Sequence, residues 1–307
     1  MQESAHVFWN RTLAPYKKPS FRSAYIQLVN TVVPFVVLWY LMLRSLEVSY
    51  ALTLALAVPT SFFSIRLFIF QHDCGHGSFF PSRRANNLVG AVLGVVTWIP
   101  YRYWKKTHAI HHATAGNLDR REFGDIDTLT VREYLARPWW KRFLYRCYRG
   151  PIVMFIIGPF FQFVLKHRFP LDAPFKWKTE WASVFWNNLA LAAICVVAWR
   201  TIGLGTFFAI QLPITILAGA IGIWLFYVQH QFEDTYWEGK EDWDFNLAGL
   251  QGSSFYDLPP LLHWLTGNIG YHHIHHLNPR VPNYRLAACH AATPSLQEAK
   301  HISFRPG

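Results

Sequence analysis

Eight histidines fall into three short clusters, and clustered neutral imidazole is the commonest protein ligand for a transition metal. His72 and His76 stand in QHDCGHGSFF. His108, His111 and His112 stand in KKTHAIHHATAGNLDRR, and His272, His275 and His276 in NIGYHHIHHLNPRVPNYRL. As patterns they read HxxxH, HxxHH and HxxHH. On a helix, residues i, i+3 and i+4 share one face, so each cluster is expected to aim its imidazoles at one point. A single HxxxH arises by chance or in a zinc site. Three such boxes in one chain, each beside a hydrophobic stretch, point to metal binding. Eight ligands exceed what one four- or six-coordinate ion can use, so two metal ions are expected. Zinc is the runner-up metal from ligand type alone, but it favours four ligands, or three plus water where it is catalytic. A zinc protease would need a glutamate within HExxH. Box one reads HDCGH, and boxes two and three hold no glutamate between their histidines.

The elements that must position these rings are set by composition. The chain has 307 residues, of which 52% are hydrophobic, 17% aromatic and only 15% charged. That is less charge than a soluble surface carries. The net charge of +11 is therefore read through membrane topology, and no groove-reading basic helix or RNA-binding aromatic motif points to nucleic acid. Cys74, Cys147, Cys195 and Cys289 are scattered without a CxxC pair, which argues against a disulfide framework or a cysteine zinc site. The N-terminal stretch MQESAHVFWNRTLAPYKKPSFR has no short apolar core and small-residue cleavage site, so a retained cytosolic tail is expected. Apolar stretches of bilayer length, about 20 residues, lie in two close pairs. These are roughly 24–45 with 50–71, and roughly 180–200 with 203–229. Shorter runs near 88–100 and 151–165 read as interfacial or cap-packing helices. Pro34, Pro59 and Pro213 fall inside spans, where neighbouring helices re-satisfy freed backbone groups.

Sidedness follows from the loops. The connections 46–49 and 201–202 carry no lysine or arginine. Arg11, Lys17, Lys18 and Arg22 crowd the N-terminal tail, and Arg83, Arg84, Arg102, Lys105, Lys106, Arg120 and Arg121 the central segment. Positive charge marks the cytoplasmic side, so both termini and all three boxes are expected there. The expected architecture is all-α: one domain over 1–307, with four transmembrane helices. A cytosolic helical cap, from about 72–179 and 230–307, would hold a histidine-rich di-metal site. Metal-bound histidine usually donates its second N–H to a carboxylate or carbonyl. Candidates beside the boxes are Asp73, Asp119, Asp125, Asp127, Glu233 and Asp234. His273 lies within YHHIHH but is offset by about 100° of helix from the 272, 275, 276 face. It is therefore expected outside the ligand set, at most supporting it. Aromatics in the spans, Phe62, Phe63, Phe68, Trp224, Phe226 and Tyr227, are candidate walls for an apolar substrate, or ordinary lipid-facing and core side chains.

These boxes resemble those of the membrane fatty acid desaturase superfamily, whose members use a histidine-rich di-iron centre. HDCGHGSFF, HHATAGNLDRR with GDIDTLTVREY, YVQHQFEDTYW and GYHHIHHLNPRVPNYRL are similar to segments of bacterial acyl-lipid desaturases, and the likeness runs from about residue 65 to about 290. The resemblance implies two iron ions, cycling between Fe2+ and Fe3+, with O2 as co-substrate. The di-iron centre is itself the catalyst, and no separate protein acid or base is assigned. The reaction implied is two-electron oxidation of neighbouring methylenes in the acyl chain of a membrane lipid. The resemblance also implies that His230, which ends the fourth span outside the boxes, is a ninth ligand. No HPGG haem-binding motif of a fused cytochrome b5 is found, so a separate ferredoxin, flavodoxin or cytochrome b5 is expected to supply electrons. The membrane expected is the bacterial cytoplasmic one. A hydroxylase, ketolase or acetylenase on the same scaffold is the alternative, which the NLDRR and HHLNPRVPNYRL contexts disfavour. A metal transporter or sensor is more distant, because a transporter places ionisable ligands within its spans.

Overall fold

The computed structural model describes residues 5–121, 123–124 and 126–304. Asp125, one of the carboxylates singled out above, lies outside the described residues. Most of the chain is helical, and four helices are long and apolar enough to cross a bilayer. They are α2 (Phe21–Ser45), α3 (Tyr50–His76), α8 (Lys178–Thr201) and α9 (Leu204–His230). The expected second and fourth spans stopped short. Both helices run on to His76 and His230, so histidines occupy their last turns. Pro34, Pro59 and Pro213 are all accommodated inside helices.

Caps fix where these helices begin and end. Ser20 accepts from the Ser23 N–H before α2, and Ser49 from the Ala51 N–H before α3. Such a side chain satisfies one of the donors a helix start leaves unpaired. Gly77, at φ 70, ends α3 in the left-handed conformation that an unbranched backbone adopts without strain. The hairpin of α2 and α3 is pinned near its turn by a 2.7 Å hydrogen bond between the Ser45 and Thr53 hydroxyls.

Helix α3 is the central element. It packs against α2 and α9, and against α4 (Arg83–Val96), α5 (Tyr101–Thr114) and α11 (Pro260–Leu265). Its buried Phe70 joins Ala57, Leu67, Phe79, Ile210 and Ile214 in the largest apolar cluster. Arg66 is also buried there, with Nε donating to the Thr31 hydroxyl at 2.9 Å and the guanidinium 4.0 Å from the Trp264 ring. A cation in a span needs such partners, because the alternative is an unsatisfied charge in hydrocarbon. By contrast α2 and α8 turn Val33, Val36, Phe185 and Val197 outward. An apolar outer face on a long apolar helix fits lipid as its solvent.

The shorter runs behave as different elements. The first is α4, which packs on α3, α5 and α8. The second is two π-helical stretches, Val153–Ile157 and Phe160–Lys166, which pack on α9. Together with α7 (Trp139–Arg149) they make a pair bent by 59° that, taken as one, is long and apolar enough for a broken span or a re-entrant loop. The run 151–165 is too short to span by itself, as the sequence suggests, and reaches that length only when joined to α7.

Beyond α9 come α10 (Phe245–Gln251), α12 (His272–Leu277) and α13 (Asn283–Ala292). The all-α expectation missed a small parallel pairing of β1 (Phe255–Asp257) with β2 (His301–Ser303), in register Phe255↔His301 and Tyr256↔Ile302. Three-residue strands are too short to show a period in sequence. Here they staple the C-terminal segment to the histidine-bearing end.

Candidate metal centre

Nine imidazoles meet at one end of the helices, in two groups. His72, His76, His108, His112 and His275 form one; His111, His230, His272 and His276 form the other. Within each, one ring nitrogen per residue lies within 4.8 Å of every other. Two of the four long helices contribute from their last turns: His72 and His76 from α3, His230 from α9.

The expectation that each box aims at a single point is corrected. Box two, on α5, sends His108 and His112 to the first group but His111 to the second. Box three, on α12, does the reverse, sending His272 and His276 to the second and His275 to the first. Helical geometry accounts for this. Residues i and i+4 are about 40° apart around the axis, whereas i+3 and i+4 are about 100° apart. The paired histidines of each HH therefore diverge, and boxes two and three each straddle both groups, while box one, His72 and His76, stays within the first. The rings of His112 and His276, one from each group, stack with centroids 4.2 Å apart.

The donors fit a cation. His112 Nε2 lies 3.0 Å from His108 Nε2 and 2.9 Å from His275 Nε2, and His230 Nε2 lies 2.9 Å from His272 Nε2. Adjacent nitrogens about 2.1 Å from an octahedral ion are about 3.0 Å apart. His76 Nε2 and His276 Nε2 are buried with no hydrogen-bond partner. A buried polar atom without a partner is costly, and a metal ion would remove that cost. Burial, reinforced by the neighbouring imidazoles, holds the pKa of His108, His112, His272, His275 and His276 well below that of free histidine. Desolvation disfavours imidazolium, so these rings stay in the neutral form that ligates metal.

Two outer contacts orient rings. Asp73 Oδ1 lies 3.1 Å from His72 Nδ1, while Oδ2 accepts from the Asn283 backbone N–H at 2.8 Å and from its side-chain amide at 2.9 Å. His72 therefore carries its proton on Nδ1 and turns Nε2 to its neighbours. His230 Nδ1 donates to the Gly252 carbonyl at 3.0 Å, which aims its Nε2 at the second group.

The other carboxylates are placed differently. Asp119 accepts from the Lys240 backbone N–H at 2.8 Å, tying two loops together. Asp127 lies on the loop held by Tyr148, whose hydroxyl accepts the Asp127 N–H. Glu233 is exposed, and Asp234 is 3.8 Å from Lys300. Among the described residues none of these four hydrogen-bonds a histidine ring. Proximity in sequence misled there, because the loops after the boxes carry these side chains away.

His273 is fully buried but belongs to neither group. Its Nε2 lies 3.3 Å from His290 Nδ1. Of the aromatics proposed as walls, Phe226 packs on His111 and His230, with centroids 5.1 and 4.9 Å away. Phe68 packs on Trp104. Phe63 meets Trp264, while Trp224 and Tyr227 meet Phe155, away from the histidines. Phe62 packs beside Phe68 in the cluster around Ile65 and Val228. Two contributors went unnoticed in the sequence. Trp104 stacks on His108 at 4.5 Å, and its i−4 spacing from that histidine was the available signal. Asn283 stands 210 residues from the carboxylate it holds, a separation that carries no local signal.

Long apolar helices, with nine imidazoles gathered at one end from α3, α5, α9 and α12, define an integral membrane protein with two histidine groups able to hold metal. The fatty acid desaturase family pattern matches residues 47–306. A fatty acid desaturase of Bacillus subtilis is 45% identical over 295 residues, covering 96% of this chain and 83% of the relative. An sn-1 acyl-lipid omega-3 desaturase (ferredoxin) of Synechocystis is 29% identical, covering 78% of this chain and 67% of the relative. An sn-1 oleoyl-lipid 12-desaturase of the same organism is 28% identical, covering 73% and 63%. The chain belongs to the fatty acid desaturase family and is an oxidoreductase of that kind.

Proposed function

We propose that this protein is an acyl-lipid desaturase using two iron ions and O2. Its irons would be held by His72, His76, His108, His112 and His275 at one position and by His111, His230, His272 and His276 at the other. The observation that carries the reading is this partition of nine buried or half-buried imidazoles into two compact sets. Among the described residues both groups consist of imidazole alone, which leaves the metal charge uncompensated, unlike the glutamate-rich soluble di-iron bundles. When bound, the irons supply reductive activation of O2 and the oxidation of two adjacent methylenes to a double bond. The protein orients the ligands and keeps water away. Asp73 fixes the tautomer of His72, the Gly252 carbonyl fixes that of His230, and Phe226 and the Trp104–Phe68 pair close the sides with apolar surface.

The lysines and arginines of the histidine-bearing end support its reading as cytosolic, with the membrane taken as the bacterial cytoplasmic one. The whole chain is read as one domain, its helical cap built from the segments after α3 and after α9. Electrons come from a separate one-electron carrier, and the Synechocystis relatives named for ferredoxin support that class of donor. Expression in a host lacking the activity, followed by gas chromatography of its lipids, tests the reading. The expected product is an acyl chain lighter by one H2. A hydroxylated chain instead would place the protein with the oxygen-inserting branch, and an unchanged lipid profile with metal-loaded protein would remove the proposal.

A further inference from the structure

A cavity of about 560 Å³ opens between α4, α5 and α8, apart from the histidine groups. Its walls change character with depth. Arg102, Lys178 and Thr179 line one part; Val95, Ala182 and Trp186 line much of the rest, with Ser183 and Asn187 as polar members there. Lys178 and Thr179 begin α8, whereas Trp186 lies about 12 Å further along that helix at 1.5 Å per residue. Helix α8 is antiparallel to α9 across the short connection at 202–203, so its first turn lies at the same end as His230. The polar rim is therefore at the membrane boundary on the histidine-bearing side, and the apolar floor runs into the bilayer. Arg102 is tethered by its backbone N–H to the Ser183 hydroxyl at 3.1 Å. Among the described residues the side chains of Arg102 and Lys178 form no ion pair. Glu180, the one acid of the first turn of α8, is not among the lining residues. On the same helix as Arg102, the pKa of Lys105 is lowered by burial first and then by Arg83 and Arg102.

We propose that this cavity is a binding site for an anionic phospholipid, whose phosphate sits over Arg102 and Lys178 while its acyl chains follow Val95, Ala182 and Trp186. Basic pockets between membrane helices on the cytoplasmic side suit anionic headgroups, and the volume falls within the usual range for a specific ligand. A free phosphate would use only the rim. A lipid also covers the apolar floor, which is why a lipid is the occupant assigned. The bound lipid is a resident one and not the substrate, because none of the nine grouped histidines is among the residues that line this cavity. The proposal rests on the membrane placement of α8, but it does not depend on what the metal centre oxidises.

The test uses full-length protein reconstituted in vesicles of equal phosphatidylglycerol and phosphatidylcholine, extracted gently and weighed by native mass spectrometry. Wild type is expected to retain phosphatidylglycerol in preference to phosphatidylcholine. The Arg102→Gln/Lys178→Gln double variant should lose that preference by roughly 30-fold, the weight of two interfacial cations. The charge-keeping Arg102→Lys/Lys178→Arg pair should retain it, and Val95→Trp, which fills the cavity, should retain neither lipid. All variants are expected to keep wild-type metal content and desaturation. Equal retention of both lipids by wild type overturns the proposal, as does unchanged retention in the double variant. Displacement of the lipid by inorganic phosphate alone would show that the rim binds without the floor, and also overturns it. Loss of desaturation together with the lipid would make this cavity the substrate's entrance and defeat the resident assignment.

Discussion

Replacing Asp73 with Asn keeps size and shape but removes the one arrangement that satisfies both sides of this carboxylate. In the native site Oδ1 meets the His72 Nδ1–H, and Oδ2 receives two N–H groups from Asn283. An amide has one acceptor oxygen. If that oxygen faces Asn283, the NH2 faces His72 and forces the ring to accept on Nδ1 and carry its proton on Nε2, which blocks the ligating nitrogen. If the oxygen faces His72 instead, the NH2 meets two donors in a buried place. The first outcome costs metal affinity, and loss of such an outer partner typically costs about 10–100-fold, or about 1.4–2.7 kcal/mol. The second costs stability, at about 1–3 kcal/mol for each buried group left unmade. Either way the damage belongs to the five-histidine group, since Asp73 contacts no residue of the other. The assay is iron content after dialysis against a graded series of chelator, read with thermal unfolding of the same samples. Stoichiometry should fall from two toward one at chelator levels that leave wild type filled. If Asp73→Asn holds both ions to the wild-type chelator midpoint and melts at the wild-type temperature, the account of His72 orientation is wrong.

Three further outcomes are expected. His230→Ala should abolish desaturation and lower bound iron, whereas His273→Ala, outside both groups, should keep its metal; the reverse pattern in elemental analysis would overturn the ligand set. Gly270→Ala would drive a methyl group into the Tyr256 carbonyl and the His263 ring, shifting the turn that starts α12. A loss of about 1–3 kcal/mol is expected from such overpacking, with reduced iron, while Gly222→Ala, in open space, should be neutral; equal melting curves for the two would refute the steric argument. His167, buried beside Arg168 and Lys166, has its pKa lowered to about 3 by burial first and by those charges second. The unfolded chain takes up the proton near pH 6.5 and the folded one does not, so stability is full above that pH and falls as pH drops toward 3. His167→Gln should flatten the fall between pH 6.5 and 5 by up to about 1.4 kcal/mol per pH unit, and parallel wild-type and variant curves would contradict it.

Much of this was legible in the chain because hydropathy over twenty residues is a strong signal and histidine clusters are rare. The four spans were found to within a few residues of their ends, and all nine histidines now grouped were named. How the rings divide was not legible. The divergence of each HH follows from helical spacing, but which group each ring joins depends on how α5 packs against the six buried residues of α12. Asp73 could be picked out because it adjoins His72, but the same adjacency argument failed for Asp119, Asp127 and Glu233, whose loops turn elsewhere. The 59° bend before Val153 and the pairing of β1 with β2 arise from tertiary packing, which overrides what short segments prefer by themselves.

The crossed allotment of the two HH pairs has a consequence for biogenesis. On the metal reading, the first position needs His275 and the second needs His272 and His276, so each draws on the late segment 272–276 of a 307-residue chain. Neither position can close while the nascent polypeptide is still short of α12, even though α3 and α5 are already in place. Iron must therefore be captured after the last membrane helix has been inserted, and both positions mature in the same late event. A truncated product ending before residue 272 would be left with fragments of two sites and a complete version of neither.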